Sequence, residues 1–451
     1  MSKSVSSLDL QVVLLPLCDL IPNPRNARVH NRAQKQALVK SYKTFGCINP
    51  LIIDQNRMIL AGHGRLEAAK LAGLKEVPTI TVTHLSDLEK RAFAISDNKL
   101  GDRSAWDFDM LADEIRLLQL DPTFDLSLTG FEIPEIDNLT LAQDDRPSAS
   151  DTIPDIQEAV VSKVGDTWIL GAHRLACGDA RSIEDIARLM AGQTAGMIFT
   201  DPPYNIPVRY IGGRGKIKHQ EFVCASGEMS RDEFADFYQT TIDNAVAVCR
   251  DGSLAYVCMD WRNIDVVIAA SRAMGTELAN ICVWNKTNAG QGSFYRSQHE
   301  FVAVMKIGSA EGHNNVQLGR FGRNRTNVWT YAGVNSFGKG RKDLVLHPTV
   351  KPVAMIADAI LDCTAHGDIV LDVFAGSASV ALAAEKTGRR AFCLEFAPNY
   401  VDVAVRRWQR HTRKDAILEG DGRTFSEIKE VRNADAAMPQ EPRSAATVGD
   451  A

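Results

Sequence analysis

No two of the nine cysteines in this 451-residue chain stand in C-x-x-C spacing. Their number is odd and they scatter from Cys18 to Cys393, so neither a disulfide framework nor a zinc cluster is suggested, and a reducing cytoplasm is the expected compartment. Positive charge is not in excess: 51 Lys and Arg against 56 Asp and Glu leave a net charge of -5, which excludes a uniformly basic nucleic-acid coat and makes any phosphate contact patchy. Long apolar runs are missing too. None approaches the roughly 20 residues that span a bilayer, so no membrane association is expected. The short run Val12 to Cys18, bracketed by Asp9 and Asp19 without a cleavage pattern, reads as a strand rather than a signal peptide. Neither an internal repeat nor a nuclease-like cluster of carboxylates stands out.

What is present is ordinary globular composition, 45% hydrophobic and 24% charged, in a chain longer than one core usually supports. Two domains are expected. Hydrophobic periodicity stops at "LAQDDRPSASDTIPD", which places a linker at 141–158 between a unit at 1–140 and another at 159–431; the stretch 432–451 reads as a disordered tail. In the first unit, two short strands flank Asn56 and a Gly62-x-Gly64 turn opens a helix from Arg65 to Leu71, which Gly73 ends. A strand ending near Val82 and helices over Leu85 to Lys99 and Asp107 to Leu120 complete a small α+β unit.

The second unit holds the clearest βαβ pattern: strand Ile369 to Val373, a turn "FAGSAS", helix Ser379 to Lys386 stopped by Gly388, and strand Ala391 to Leu394. Glu395 closes that strand 19 positions beyond Gly376, where a nucleotide-type unit carries its ribose-binding acid. A dinucleotide site would want several glycines for pyrophosphate; one glycine suits an adenosine cofactor without phosphates, and S-adenosylmethionine is such a molecule.

Upstream, the apolar "GMIF" runs into "TDPPYN". An aromatic amino group is a poor nucleophile because its lone pair is delocalised. Asp201 and the carbonyl of Pro202 each accept a hydrogen bond from such a group, Pro202 and Pro203 stiffen the loop, and Tyr204 offers a flat face to a base rotated out of a duplex. Alone, DPPY reads as a proline turn capped by Asp. Its occurrence beside the single-glycine βαβ unit makes it a socket for an extruded base.

From about residue 160 to 430 the chain resembles the amino-methylating DNA methyltransferases of the β arrangement, the DNA methylase N4/N6 family, in which DPPY precedes the cofactor motif. The resemblance rests on "CGDA", "TDPPYN", "VWNK" with "RSQHE", "HPTVKP", "DVFAGSAS" and "GRRAFCLEFAPNYVDVA". It implies a Rossmann-like α/β sheet and a cofactor site of Asp179 and Ala180 with Asp372, Phe374, Ala375, Gly376, Ser377 and Glu395. By the same resemblance Asp179 meets adenine, Glu395 meets ribose, and Thr349 and Lys351 lie beside the methionine end, while Asp201, Pro202 and Tyr204 surround the target base. The chain departs from the family at Ala378, where a second glycine is usual, and at Val373, often proline.

Two Gly-rich basic segments flank this site. Arg209, Arg214, Lys216 and Lys218 in the first, and Arg320, Arg323 and Arg325 in the second, are candidate contacts to double-stranded DNA, with Trp329, Tyr331 and Phe337 available for stacking. Residues 14 to about 115 resemble the ParB N-terminal domain through "LIPNPRNARVH", "INPLIIDQNRMILAGHGRLEAAKLAGLKEVPTI" and "DNKL". That resemblance implies a nucleotide or phosphate site at Gly62, Gly64 and Arg65. Asp at the head of the DPPY motif favours adenine; cytosine N4, RNA, or a non-catalytic DNA-binding role are the alternatives. A monomer and a dimer fit equally well.

Overall fold

The structure, a computed structural model, describes residues 10–101, 106–119, 124–141, 154, 160–206, 225–286, 294–317, 325–331 and 351–437. The chain divides into two compact units, Met1–Thr140 and Leu141–Ala451.

In the first unit the strands β1 (Val12–Pro16), β2 (Leu51–Asp54), β3 (Ile59–Ala61) and β4 (Glu76–Val82) form one sheet in the order β1-β4-β2-β3. Helices Arg32–Phe45 and His63–Leu71 cover it, and Tyr42, Leu51, Ile53, Ile59 and Leu66 make the core. Helices Asp87–Gly101, Phe108–Gln119 and Ile133–Leu141 follow.

The second unit is a ten-stranded sheet. Its strands are β5 (Thr167–Leu170), β6 (His173–Cys177), β7 (Ala195–Thr200), β8 (Cys249–Met259), β9 (Glu277–Lys286), β10 (His299–Lys306), β11 (Val328–Tyr331), β12 (Ile369–Asp372), β13 (Arg390–Glu395) and β14 (Ile417–Leu418). They lie in the order β11-β9-β10-β8-β7-β12-β13-β6-β5-β14. The central block from β8 to β6 is parallel, with β10 antiparallel on one flank and β5 on the other. Every residue of β7 and β12 is buried, as a parallel strand covered by helices on both faces requires. Their apolar side chains divide between two cores, one on each face of the sheet.

The tail expected from residue 432 begins instead as structure. Helix Phe425–Ala437 runs through it, because Arg432 donates to the carbonyl of Val161 at 2.6 Å and pairs with Asp166 at 3.0 Å. Beyond Ala437 the sequence lies outside the described residues. Among the described cysteines, Cys18 is exposed, Cys47 and Cys249 are half-buried, and the rest are buried; burial pushes the Cys177 thiol up to about 12. No described helix is long and apolar enough to cross a membrane.

Candidate active site

Parallel strands deliver their carboxyl ends to one edge of a sheet, and the crevice there is where open α/β sheets take ligands. Asp201 follows β7, Asp372 ends β12, Glu395 ends β13 and Gly178 follows β6. All four line a single cavity of about 290 Å³ together with Asp179, Ala180, Pro202, Pro203, Tyr204, Lys351, Phe374, Gly376, Ser377 and Tyr400. The residues expected to handle the cofactor and those expected to handle the base therefore share one space.

On the base side, the chain leaves β7 through Asp201-Pro202-Pro203-Tyr204 and reverses at Asn205, a left-handed residue with φ 51°. Asn tolerates that conformation because its short side chain bonds locally. Here the Asn205 side chain donates to the Met229 carbonyl at 2.8 Å and accepts from the amide of Gly227 at 3.0 Å, while Asn263 donates to the Tyr204 carbonyl at 2.7 Å. The loop is thus held from outside as well as by its prolines.

Asp201 is not alone. Lys351 Nζ lies 2.6 Å from its Oδ2, and the Tyr204 hydroxyl lies 2.7 Å from its Oδ1. Lys351 also donates to Tyr204 Oη at 3.0 Å and pairs with Glu300 Oε2 at 3.1 Å, and Lys286 closes on the other oxygen of Glu300. Burial raises the pKa of Asp201 above the ordinary carboxylate value, with the Lys351 charge opposing it. For Glu300 burial acts the same way, but Lys351 and Lys286 outweigh it and hold the group well below the usual range. The Tyr204 phenol, buried among these carboxylates, is raised and stays protonated.

On the cofactor side, both oxygens of Glu395 are occupied by backbone amides, Oε2 by Gly376 at 2.8 Å and Oε1 by Ala397 at 2.9 Å. This fixes a carboxylate on the cavity wall with lone pairs left for hydroxyl donors. Asp179 is bound by its neighbour Arg181 at 2.7 Å; burial alone would raise its pKa, and that partner brings it below the ordinary value. The turn itself is bolted from beneath: buried Arg407 donates to the carbonyl of Ser377 at 3.0 Å, to its hydroxyl at 2.8 Å and to the Ser379 hydroxyl at 3.0 Å. Gly376 and Ala378 are both left-handed, at φ 50° and 58°. Asp372, under the turn, accepts from Thr200 at 2.9 Å and from the Phe374 amide at 3.1 Å. Burial pushes it up to about 7, those two bonds lower it, and the charges of Asp201 and Glu395 add to the rise. A fixed carboxylate for ribose, the apolar walls of Phe374, Phe396 and Tyr400 for a purine, and a turn with one glycine fit S-adenosylmethionine.

Two expectations are corrected. Arg325 does not face a phosphate: its guanidinium lies 2.9 Å from both Asp358 and Asp362, beside the Tyr331 hydroxyl at 3.1 Å and over the Trp329 ring at 5.2 Å. Trp329 is buried, donates to the Thr326 carbonyl and stacks on Tyr256, and Tyr331 bonds Asp358, so neither ring is presented for stacking or wedging. Thr349, Arg209, Arg214, Lys216, Lys218, Arg320, Arg323 and Phe337 lie outside the described residues. Sequence reasoning missed Glu300, Lys286 and Arg407, which reach the site only through strand pairing and helix packing; a glutamate beside a histidine at the start of an apolar strand was the available signal for Glu300.

In the first unit the box forms a compact corner. Gly62, at φ 106°, precedes the helix His63–Leu71, and Arg65 donates to the Pro50 carbonyl at 2.6 Å. Gly64 is required for space, since a Cβ there would come within 2.8 Å of the His30 ring. His63 Nε2 accepts from the Asn23 amide at 3.1 Å, and burial with the nearby His30 charge lowers its pKa, so the ring is neutral.

The sheet order, the DPPY loop after β7 and the acid closing β13 define a DNA amino-methyltransferase. Family models match accordingly: DNA methylase over residues 195–406, ParB N-terminal domain over 1–99, and ParB-methyltransferase HTH domain over 109–164. The chain belongs to the DNA methylases of the N6/N4 type and carries a ParB domain ahead of the catalytic one. Its first part is 43% identical over 82 residues to the ParB-like nuclease domain-containing protein YnaK of Escherichia coli (strain K12), covering 18% of this chain and 94% of that one. Its second part is 26% identical over 219 residues to the putative methylase YubD of the same organism, covering 48% and 84%. Among solved structures, the cytosine-N4-specific PvuII DNA methyltransferase matches 62% of this chain and 95% of its own, at 15% identity and a TM-score of 0.42. The HTH match went unread in the sequence, where helices were expected over Leu85 to Lys99 and Asp107 to Leu120 and the helix Ile133–Leu141 was not read; the glycine turn at Gly130 ahead of it was the signal.

Proposed function

We propose that the protein methylates the N6 amino group of adenine in duplex DNA after rotating the base out of the helix. The observation that carries this reading is the position of Asp201: its carboxylate stands at the end of a buried strand on the wall of the cavity that also holds Glu395. A flipped adenine inserted there would donate its two amino hydrogens to Asp201 and to the Pro202 carbonyl, which pulls the nitrogen toward a tetrahedral form and frees its lone pair. Tyr204 lines the same cavity. Its anchored hydroxyl sets the ring plane against which the base rests. Asp179, Glu395 and the Gly376 turn would hold the cofactor, which supplies an electrophilic methyl group. Asp rather than Ser at the motif head supports adenine over cytosine. The HTH region, the ParB unit and the basic segments at Arg209–Lys218 and Arg320–Arg323 are assigned to DNA engagement, and the Gly62-Gly64-Arg65 corner to a nucleotide or phosphate.

The test is to incubate the purified protein with unmethylated DNA and S-adenosylmethionine, digest to nucleosides and identify the methylated base by mass. N6-methyladenine is expected with wild type, and its loss by at least about a hundredfold with Asp201→Ala. N4-methylcytosine would keep the mechanism and change the base. DNA binding without any methylated base would move the protein to the non-catalytic class.

A further inference from the structure

Among the described residues, Lys351 meets Asp201, Tyr204 and Glu300 at 2.6, 3.0 and 3.1 Å. Its side chain is 4% exposed, against 24% for Asp201, so the lysine stands behind the aspartate as seen from the cavity mouth. Lys286 follows on the far side of Glu300. The order Lys286, Glu300, Lys351, Asp201 alternates in sign and sums to zero. A buried carboxylate without such a partner neutralises itself by taking up a proton, and a protonated Asp201 would present a weaker acceptor to an amino group.

We propose that Lys351, oriented by Glu300, is a positioning residue that keeps Asp201 ionised and aimed into the cavity as a hydrogen-bond acceptor. This rests on the reading of Asp201 as the acceptor for the target amino group, and assigns to Lys351 a role beyond holding the methionine end of the cofactor. Among the described residues, the groups facing Asp201 are Lys351, the protonated phenol of Tyr204, Glu300, the neutral thiol of Cys258 and, from β12, Asp372. Lys351 is the cation among them, and Glu300 works on Asp201 in two opposed ways: it orients the lysine and repels the carboxylate.

The opposed signs give the experiment. The pH profile of kcat/KM is measured as total transfer of labelled methyl groups to DNA, whichever base receives them, for wild type, Lys351→Met, Lys351→Arg and Glu300→Gln. Lys351→Met is expected to move the acid limb to higher pH by about one unit or more, with a loss of about tenfold or more at pH 7 that recedes by pH 9. Lys351→Arg is expected to restore the wild-type limb. Glu300→Gln keeps a side-chain oxygen that still accepts from Lys351 and so preserves its orientation, but removes the repulsion, and is expected to leave the limb in place or move it to lower pH. Coincident limbs for wild type and Lys351→Met, or limbs of Lys351→Met and Glu300→Gln moving in the same direction, would overturn the proposal. Should Lys351→Met fail to fold, Lys351→Gln, which keeps a hydrogen-bonding group and loses the charge, is measured in its place with the same expected shift. If wild type transfers no methyl group, the functional reading fails; thermal unfolding then tests the ion pair itself. A Tm deficit of Lys351→Met that grows with pH and vanishes in the Asp201→Asn background supports the pair, and a pH-independent deficit refutes it.

Discussion

Asp372 carries the plainest pH signature in the molecule. Its folded-state pKa is pushed up to about 7, whereas an unfolded aspartate titrates near 4. Between those values the folded chain holds a proton that the unfolded chain has released, so stability falls as pH rises through that window. Asp372→Asn is expected to flatten this dependence, so that its Tm relative to wild type rises from pH 5 to pH 8 in scanning calorimetry. Arg325 offers a different check, because two aspartates and a tryptophan ring surround it. Arg325→Ala should destabilise the protein by about 2 kcal/mol or more through the stranded carboxylates while leaving the salt dependence of DNA binding unchanged. The basic run around it was legible as charge but not as partner. Asp358 and Asp362, one helical turn apart on the otherwise apolar "VAMIADAILDC", were the sign that an arginine would be drawn inward.

At the scale of elements, the turn between β12 and helix Ser379–Thr387 holds a left-handed alanine. Ala378 takes the left-handed conformation that glycine would take, at a cost of roughly 1–2 kcal/mol. Ala378→Gly exchanges that cost for the entropy of glycine, and its unfolding free energy should stay within about 1 kcal/mol of wild type. Ala378→Val adds a branched side chain to a buried left-handed site and should lose more than about 2 kcal/mol in the same denaturant titration, with weakened S-adenosylmethionine binding. The turn was readable in advance because its parts are local: strand, glycine, helix, strand, and an acid at a fixed spacing. The Asp201 network was not, because Lys286 and Glu300 sit on β9 and β10, whose antiparallel register pairs His299 with Asn285 and Glu300 with Trp284. No spacing along the chain encodes that register.

At the scale of the whole molecule, a ParB unit and an HTH region precede a catalytic unit whose cavity lies wholly within residues 178–400. Removing residues 1–140 is therefore expected to leave the Kd for S-adenosylmethionine within about twofold of the full chain by calorimetry, while DNA affinity drops about tenfold or more as phosphate contacts are lost. Equal DNA affinity would strip the first unit of that role. The division into two units followed from length and from the polar stretch after Thr140; the HTH match crosses that division, which a boundary drawn from composition alone could not anticipate.

The cysteines described with the fold have a practical meaning. Thiolates, not thiols, react with maleimides, and burial holds the thiols of Cys177, Cys282 and Cys363 up to about 12. Cys18 is exposed and sits in the first unit, just after β1. In a Cys47→Ser, Cys224→Ser background, a fluorophore attached there, outside the residues that line the catalytic cavity, would let polarised emission follow the ParB unit as DNA or nucleotide is added.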